Sequence, residues 1–315
     1  MTDAASGRVV AIDAGQTGMK VRVHHDGRSE DIVFAGIGTH EPLLPQLAEV
    51  VRAAITRTAA NPDVVTAGVS GLTDRDSDPA ALLALLQDTG IHHAVLAHDS
   101  TTSFLGALGD ARGAVVASGT GVVTLAVGRE STARVDGWGY IMGDAGSGYW
   151  IGREALDAVM RAYDGRGPRT ALSAPVQERW PDLSHAYIAL QAAEDRVSIV
   201  ASFAAHVARC ADEDDPVAVD ITDAAGQQLA HSVMTALRQI AHADDEGFAV
   251  CALGGVFRSR RLRNAFTAAL PETVGRARLT LADPRGEGID GAIALADLAP
   301  GHPLASAVRR ASAAR

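Results

Sequence analysis

Apolar residues along the chain gather into short runs that end on glycine or on an acid. Residues 9–12 (VVAI) lead into DAGQTG, and MKVRV at 19–23 then alternates apolar and cationic side chains with a period of two. That grammar predicts strand, glycine-rich turn, strand. It returns at 114–127, where AVVA leads into SGTG and then VVTLAV. Between the two copies, VVTAGVSG at 64–71 and AVLAHD at 94–99 are short apolar runs closing on small or acidic residues, as buried strands do when they end at a site. Helical patterns separate them. PAALLALLQDTG at 79–90 is bracketed by Pro79 and Gly90, the segment 152–163 is amphipathic, and 220–242 is long, Ala-rich and opens on Asp220. A last strand and helix are expected across FAVCALGGVF and 259–270.

Strands alternating with helices predict an α/β architecture. The two glycine hairpins, at 15–18 and 118–121, suggest two similar halves facing each other across a cleft, divided near residue 107 into 1–107 and 108–315. The stretch 166–190 has weak periodicity and reads as an insertion in the second half, and the Ala- and Arg-rich tail after Gly301 as a segment prone to fray.

The chain has 315 residues, with 28 Lys+Arg against 38 Asp+Glu and a net charge of -10. At 47% hydrophobic and 21% charged residues it is an ordinary globular composition, and the acidic field disfavours nucleic acid and anionic membrane surfaces as partners. A small-molecule partner is expected. Cys210 and Cys251 stand apart, with no CxxC pair, which points to a reducing compartment; with no apolar stretch long enough to cross a bilayer, the expected location is the cytoplasm.

Chemistry concentrates in a few places. In Asp13-Ala14-Gly15-Gln16-Thr17-Gly18, glycine lets backbone N–H groups approach an anion, the Thr17 hydroxyl can bond a phosphate oxygen, and Asp13 can hold Mg2+ through water. A plain hairpin turn explains the same residues equally well. Ser118-Gly119-Thr120-Gly121 is a second such turn, and two of them can grip a polyphosphate from both sides. Asp99, after an apolar strand, is placed to accept a proton from an alcohol attacking phosphorus, or else to cap a helix. Residues 136–150 hold two of the three Trp, two of the four Tyr and five glycines, a composition suited to a sugar ring with Asp144 as polar anchor; an aromatic-rich loop beneath a helix cap is the alternative. Gly254-Gly255 could admit an adenine ring or merely turn the chain into the next helix. The acidic run 211–216 reads as a solvated helix end rather than a cation site, and GVSG at 68–71 falls one position short of a hydrolase nucleophile elbow.

In this order DAGQTGMK, GVSG, HDS, SGTG, GWGYIMGDAGSGYWIG and GGVF resemble the N-acetylglucosamine kinase family and the wider BadF/BadG/BcrA/BcrD ATPase group, from about residue 9 to residue 297. The resemblance implies two ribonuclease-H-like lobes of the actin-like ATPase superfamily, closing over ATP and sugar. It makes Asp13, Gly15, Thr17, Gly18, Gly119 and Thr120 phosphate and Mg2+ contacts, Gly254 and Gly255 the adenosine turn, and Asp99 the catalytic base for a sugar 6-hydroxyl. Sugar contacts are implied at Thr39, His40, Ser70, Gly137, Trp138, Gly139 and Asp144. It also implies a homodimer, and a helix near 288–297 that packs back on the first lobe. Three departures bear on the choice of sugar: Thr39-His40 where the family often has Asn before His, Gln16 where glycine is more usual, and Ala145 where some members have Glu. The expected activity is ATP-dependent phosphorylation of an amino sugar, N-acetylglucosamine first. The alternatives are a kinase of glucosamine or another hexose, a BadF-type ATPase, and a sugar sensor without turnover.

Overall fold

The computed structural model describes residues 8–15, 17–38, 41–244 and 247–313. Thr39, His40 and Gln16 lie outside the described residues. The chain forms two compact α/β units: residues 1–112, 127–132 and 283–315 make the first, and residues 113–126 and 133–282 the second.

The first unit opens with β1 (Val9–Ala14), β2 (Met19–His25) and β3 (Arg28–Phe34), an antiparallel meander whose first turn is the DAGQTG loop. Then follow α1 (Leu43–Thr58), β4 (Val64–Val69), α2 (Pro79–Leu85), β5 (His93–His98) and α3 (Asp99–Leu108). β1, β4 and β5 run parallel, so Ala14, Val69 and His98 end on the same edge of the sheet. Ligands of open α/β sheets bind outside that edge.

The second unit repeats the plan. β6 (Gly113–Ser118), β7 (Val122–Val127) and β8 (Thr132–Val135) precede a helical block of α4 (Gly148–Asp164), α5 (Ser173–Arg179), α6 (Leu183–Ala192), α7 (Arg196–Asp212) and α8 (Pro216–Ile240). β9 (Gly247–Leu253), α9 (Arg260–Ala269), β10 (Thr273–Val274) and β11 (Ala277–Leu281) complete it. The chain then returns to the first unit with α10 (Gly288–Ala294) and β12 (Val308–Ser312). The sheet orders are β12-β5-β4-β1-β2-β3 and β10-β11-β9-β6-β7-β8. In both, a three-strand meander is followed outward by later strands, the ribonuclease-H-like order; this is the expected α/β fold class, present twice.

Burial explains the strand sequences. β1 is covered on both faces: Val10, Ile12 and Ala14 pack into the core with α1 and α2, while Val9 and Ala11 pack against Ile289 and Ala292 of α10. Each apolar side chain so buried contributes about 1.5–3 kcal/mol, and this two-sided demand is why VVAIDA carries a single ionisable residue, Asp13. Asp13 shares the parity of Val9 and Ala11 and so belongs to the face that carries α10.

Several segments differ from the sequence expectation. The long helix opens at Pro216 rather than Asp220, because Asp215 supplies the N-cap: its carboxylate accepts the Ala218 N–H and also holds Thr170 and the Ala171 N–H. The weakly periodic region 166–190 contains two helices, α5 and α6, with Trp180 stacked on Phe203 of α7 at 5.8 Å. The tail does not fray at 308–312, since β12 pairs antiparallel with β5 along its whole length. Helix α2 stops at Leu85, before Gly90.

The closest approach in the first unit is between α3 and α10. A Cβ on Gly106 would lie 2.0 Å from the Glu287 carbonyl oxygen, and one on Gly291 would lie 1.8 Å from that of Thr102, so backbones touch where side chains would normally separate helices. Gly291→Ala should therefore destabilise the protein by about 2–3 kcal/mol although alanine is the better helix former. Gly301→Ala, with nothing within 4 Å, should be neutral. Urea unfolding midpoints check both; an unchanged midpoint for Gly291→Ala would show that the crossing relaxes freely.

Candidate active site

In the first unit the structure brings Asp13, Ser70, Asp99, Lys20 and Glu287 to the carboxyl edge of the parallel strands. Asp13 stands opposite Lys20 in the β1–β2 ladder and beside Gly68 of β4. Gly288 leaves room for it, since a Cβ there would lie 2.5 Å from Asp13 Oδ2. Lys20 Nζ is 2.5 Å from Glu287 Oε2, the residue that caps α10. Burial, then the charges of Asp99 and Glu287, push the Asp13 carboxyl up to about 6 against the opposing charge of Lys20. An acid crowded by other acids is one that a cation would relieve.

Asp99 is the first residue of α3, and the N-cap position belongs to His98. Helix capping therefore does not account for this aspartate. Burial alone would raise its carboxyl, but the His98 ring, the Ser70 hydroxyl and the Ser100 N–H outweigh it and hold the group below the usual carboxylate range. Oδ1 is buried without an ordinary hydrogen bond. It lies 2.7 Å from His98 Nδ1, but that nitrogen already accepts the Ser100 N–H at 3.2 Å, so the contact is not a settled donor–acceptor pair. Ser70, at the end of β4, is held by its N–H to the Ala14 carbonyl at 2.9 Å.

The two glycine turns are built alike. Gly15 N–H donates to Gly18 O at 3.0 Å, and Gly119 N–H donates to Gly121 O at 2.9 Å. These two N–H groups close their own turns. Thr17 is exposed and Thr120 partly so.

In the second unit the structure collects Ser118–Gly121, Gly254, Asp144 and the start of α4. The carbonyls of Gly119 and Thr120 accept the Gly148 and Tyr149 N–H groups at 2.7 and 3.0 Å. Gly254 has φ of 100° and lies so close that a Cβ would be 2.1 Å from the Ser118 carbonyl oxygen; only glycine fits there. Asp144 is buried, with φ of 61°, and its Oδ2 would be 2.7 Å from a Cβ on Gly121. Its Oδ1 accepts the Gly139 N–H at 3.2 Å. Burial and then the Asp136 charge raise the Asp144 carboxyl, partly offset by the N–H groups of Gly139 and Val122 and the charge of Arg134. Asp136, also at positive φ, ties the loop together by accepting from Gly137, Asp144 and Ala145 N–H groups at 2.9, 2.7 and 3.2 Å. Trp138 is 69% exposed, and Ile141 and Met142 more so, while Tyr140 and Tyr149 pack with centroids 4.7 Å apart. Gly255 has open space around it. A surface hollow of about 780 Å³, lined among others by Asp223, Arg260 and Arg261, lies elsewhere in this unit and contains none of these residues.

Lys20, Glu287, His98 and Asp136 are site neighbours that sequence reasoning missed. Hairpin spacing places Lys20 opposite Asp13, and Asp136-Gly137 is a turn signal; Glu287 has no local signal at all. Among the described residues no cluster of three or more His, Cys, Asp or Glu forms a ready metal cage. A single crowded carboxylate such as Asp13 suits hydrated Mg2+, which takes one or two carboxylates and leaves other positions to water and phosphate.

The model of the BadF/BadG/BcrA/BcrD ATPase family matches residues 10–296. The chain belongs to that family. It is 29% identical over 135 residues to the N-acetylmuramic acid/N-acetylglucosamine kinase of Clostridium acetobutylicum, and 36% identical over 121 residues to the N-acetyl-D-glucosamine kinase of Dictyostelium discoideum. These matches cover 42% and 36% of this chain and span only 41% and 36% of those relatives. Among solved structures, a Chromobacterium violaceum protein provisionally assigned as an N-acetylglucosamine kinase superposes with a TM-score of 0.66 at 25% identity, over 91% of this chain and 98% of that one. The ROK family glucokinase of Streptomyces griseus, solved with glucose and AMPPNP, superposes with a TM-score of 0.53 at 17% identity, over 91% and 98% of the two chains, and shares the fold.

The crowding at Asp13 has a measurable cost. Its native carboxyl titrates higher than the unfolded one, so the folded state binds the proton more tightly and stability is lost as pH rises from about 4 to about 6. Asp13→Asn should accordingly be more stable than the parent at pH 7.5, by up to about 3 kcal/mol, with the advantage gone below about pH 4. Denaturant unfolding at both pH values checks this; equal stability at pH 7.5 would remove the crowding.

Proposed function

We propose that the protein is an ATP-dependent kinase of an amino sugar, with N-acetylglucosamine the first substrate to test and its 6-phosphate the product. The observation that carries this reading is the Asp99 carboxylate: held below the usual carboxylate range yet 28% exposed, at the edge where α/β sheets bind ligands. With Oδ1 buried and the side chain 28% exposed, a hydroxyl that donates to the other carboxylate oxygen, Oδ2, becomes the better nucleophile for losing its proton there. Membership of an ATPase family and partial matches to relatives named as N-acetylglucosamine kinases support the choice of phosphoryl donor and acceptor.

In this reading Asp13 holds Mg2+ through water, and the ion supplies neutralisation of charge on the transferred phosphoryl group. With the Gly15 and Gly119 N–H groups committed, the Thr17 and Thr120 hydroxyls and the backbone at Gly18 take phosphate oxygens. Gly254 and Gly255 receive the adenosine. Ser70, Gly137, Trp138, Gly139 and Asp144, with Thr39 and His40, bind the sugar, and the buried Asp144 acts as acceptor for sugar hydroxyls. The protein works as a homodimer in the cytoplasm, where its two buried cysteines, Cys210 and Cys251, stay reduced.

A coupled ADP-release assay with N-acetylglucosamine, glucosamine, glucose, mannose derivatives and no sugar tests the proposal. Release that depends on an amino sugar is expected; equal release without sugar would replace the kinase reading by an ATPase, and tight sugar binding without release by a sensor. Asp99→Asn should lower kcat by about 10²–10⁴-fold while nucleotide binding, followed calorimetrically, stays within twofold of the parent by roughly that measure's own scatter.

A further inference from the structure

Two cations of β2 point to the same helix. Lys20 and Arg22 stand two positions apart and so share a face of the strand. Lys20 Nζ is 2.5 Å from Glu287 Oε2, and Arg22 Nη1 is 2.5 Å from Asp290 Oδ1 while the rest of its guanidinium fork holds Asp31. Glu287 and Asp290 are the two acids of the capping box that opens α10. For Lys20 this is not the partner that the strand register offers. Asp13 lies directly opposite it in the β1–β2 ladder, on the same face, and opposite charges so placed attract one another. Yet among the described residues no hydrogen bond reaches the Asp13 carboxylate, and Lys20 is held by Glu287 instead. Gly288 brings Glu287 to this place: its backbone packs on Asp13 so closely that a Cβ would be 2.5 Å from Oδ2.

We propose that Glu287 is a positioning residue for the metal site: by holding Lys20 Nζ it keeps that ammonium from closing on Asp13, and so leaves the carboxylate for a hydrated divalent cation. This inference rests on the Mg2+ role given to Asp13 above. A carboxylate already paired with an ammonium is neutralised at close range and attracts a second cation far less. Released from Glu287, Lys20 stands on the right face and opposite the right residue to make that pair. Glu287 touches neither substrate nor ion in this arrangement; it acts through Lys20. A ligand role for Glu287, or a purely electrostatic one, would operate with or without Lys20, and this difference separates the three. Both side chains are more than half exposed, so removing either charge strands no buried partner, and glutamine at 287 keeps an oxygen for the α10 cap.

The test reads the gain in ADP affinity on adding Mn2+, measured calorimetrically on the full chain for wild type, Glu287→Gln, Lys20→Gln and the double variant. Glu287→Gln should cut that gain at least about fivefold, whereas in the Lys20→Gln background the same change should cut it by less than about twofold. An equal loss in both backgrounds would overturn the proposal, because Glu287 would then act as a ligand or through its field alone. So would an undiminished gain in Glu287→Gln, the result expected if the ion pair only ties α10 to β2, and so would a wild type with no gain at all. The measurement needs no turnover. If the wild type binds ADP but releases none from ATP with any sugar, the kinase reading fails while the four gains still decide the role of Glu287.

Discussion

Electrostatic crowding at one edge of the first sheet is the constraint on which the candidate site depends. β1 and β5 deliver Asp13 and Asp99 to the same edge, and α10 brings Glu287 alongside with Lys20 as the nearby cation. The crowding persists because the elements cannot retreat. β1 is buried on both faces, and α3 and α10 meet backbone to backbone at Gly106 and Gly291. Packing of the apolar faces thus holds the acids where solvent and mutual repulsion would separate them. The two carboxyls answer differently, Asp13 rising and Asp99 falling, because Asp99 alone is supported by Ser70, Ser100 and His98. Two like acids with divergent proton affinities are a basis for separate roles.

The second unit solves a different problem, that of holding a glycine-rich loop still. Asp136, Gly137, Gly139, Asp144 and Gly146 all have positive φ, and each non-glycine residue there costs about 1–2 kcal/mol. Three N–H groups bonded to the Asp136 carboxylate offset that cost, and the loop is further tied to the SGTG turn where Asp144 fits against Gly121. Strain concentrated beside a buried carboxylate, with Trp138 left in solvent, is a pattern of functional loops rather than of plain connections.

Local grammar made much of this legible. The hairpins around DAGQTG and SGTG, the strand before Asp99 and the tight turn at Gly254 follow from residue patterns within a few positions. What escaped was carried by long-range contact. Glu287 reaches Asp13 only because α10 folds back onto β1, and no spacing announces it. From sequence Asp99 serves either as proton acceptor or as helix cap; the structure gives the cap position to His98, and only the three-dimensional neighbours separate the two. The fraying expected after Gly301 failed for a related reason: VRRAS has weak strand character by itself, and β5 supplies the ladder that orders it.

The return of the chain to its first unit has a bearing on how the protein is made. Residues 113–282 lie almost wholly in the second unit, whereas the first needs residues 283–313 for α10 and its edge strand. During synthesis the later-encoded unit can therefore close while the earlier one waits with an uncovered β1 face. The half that leaves the ribosome first is the half that finishes last, and in that interval its exposed valines invite chaperones or misassembly.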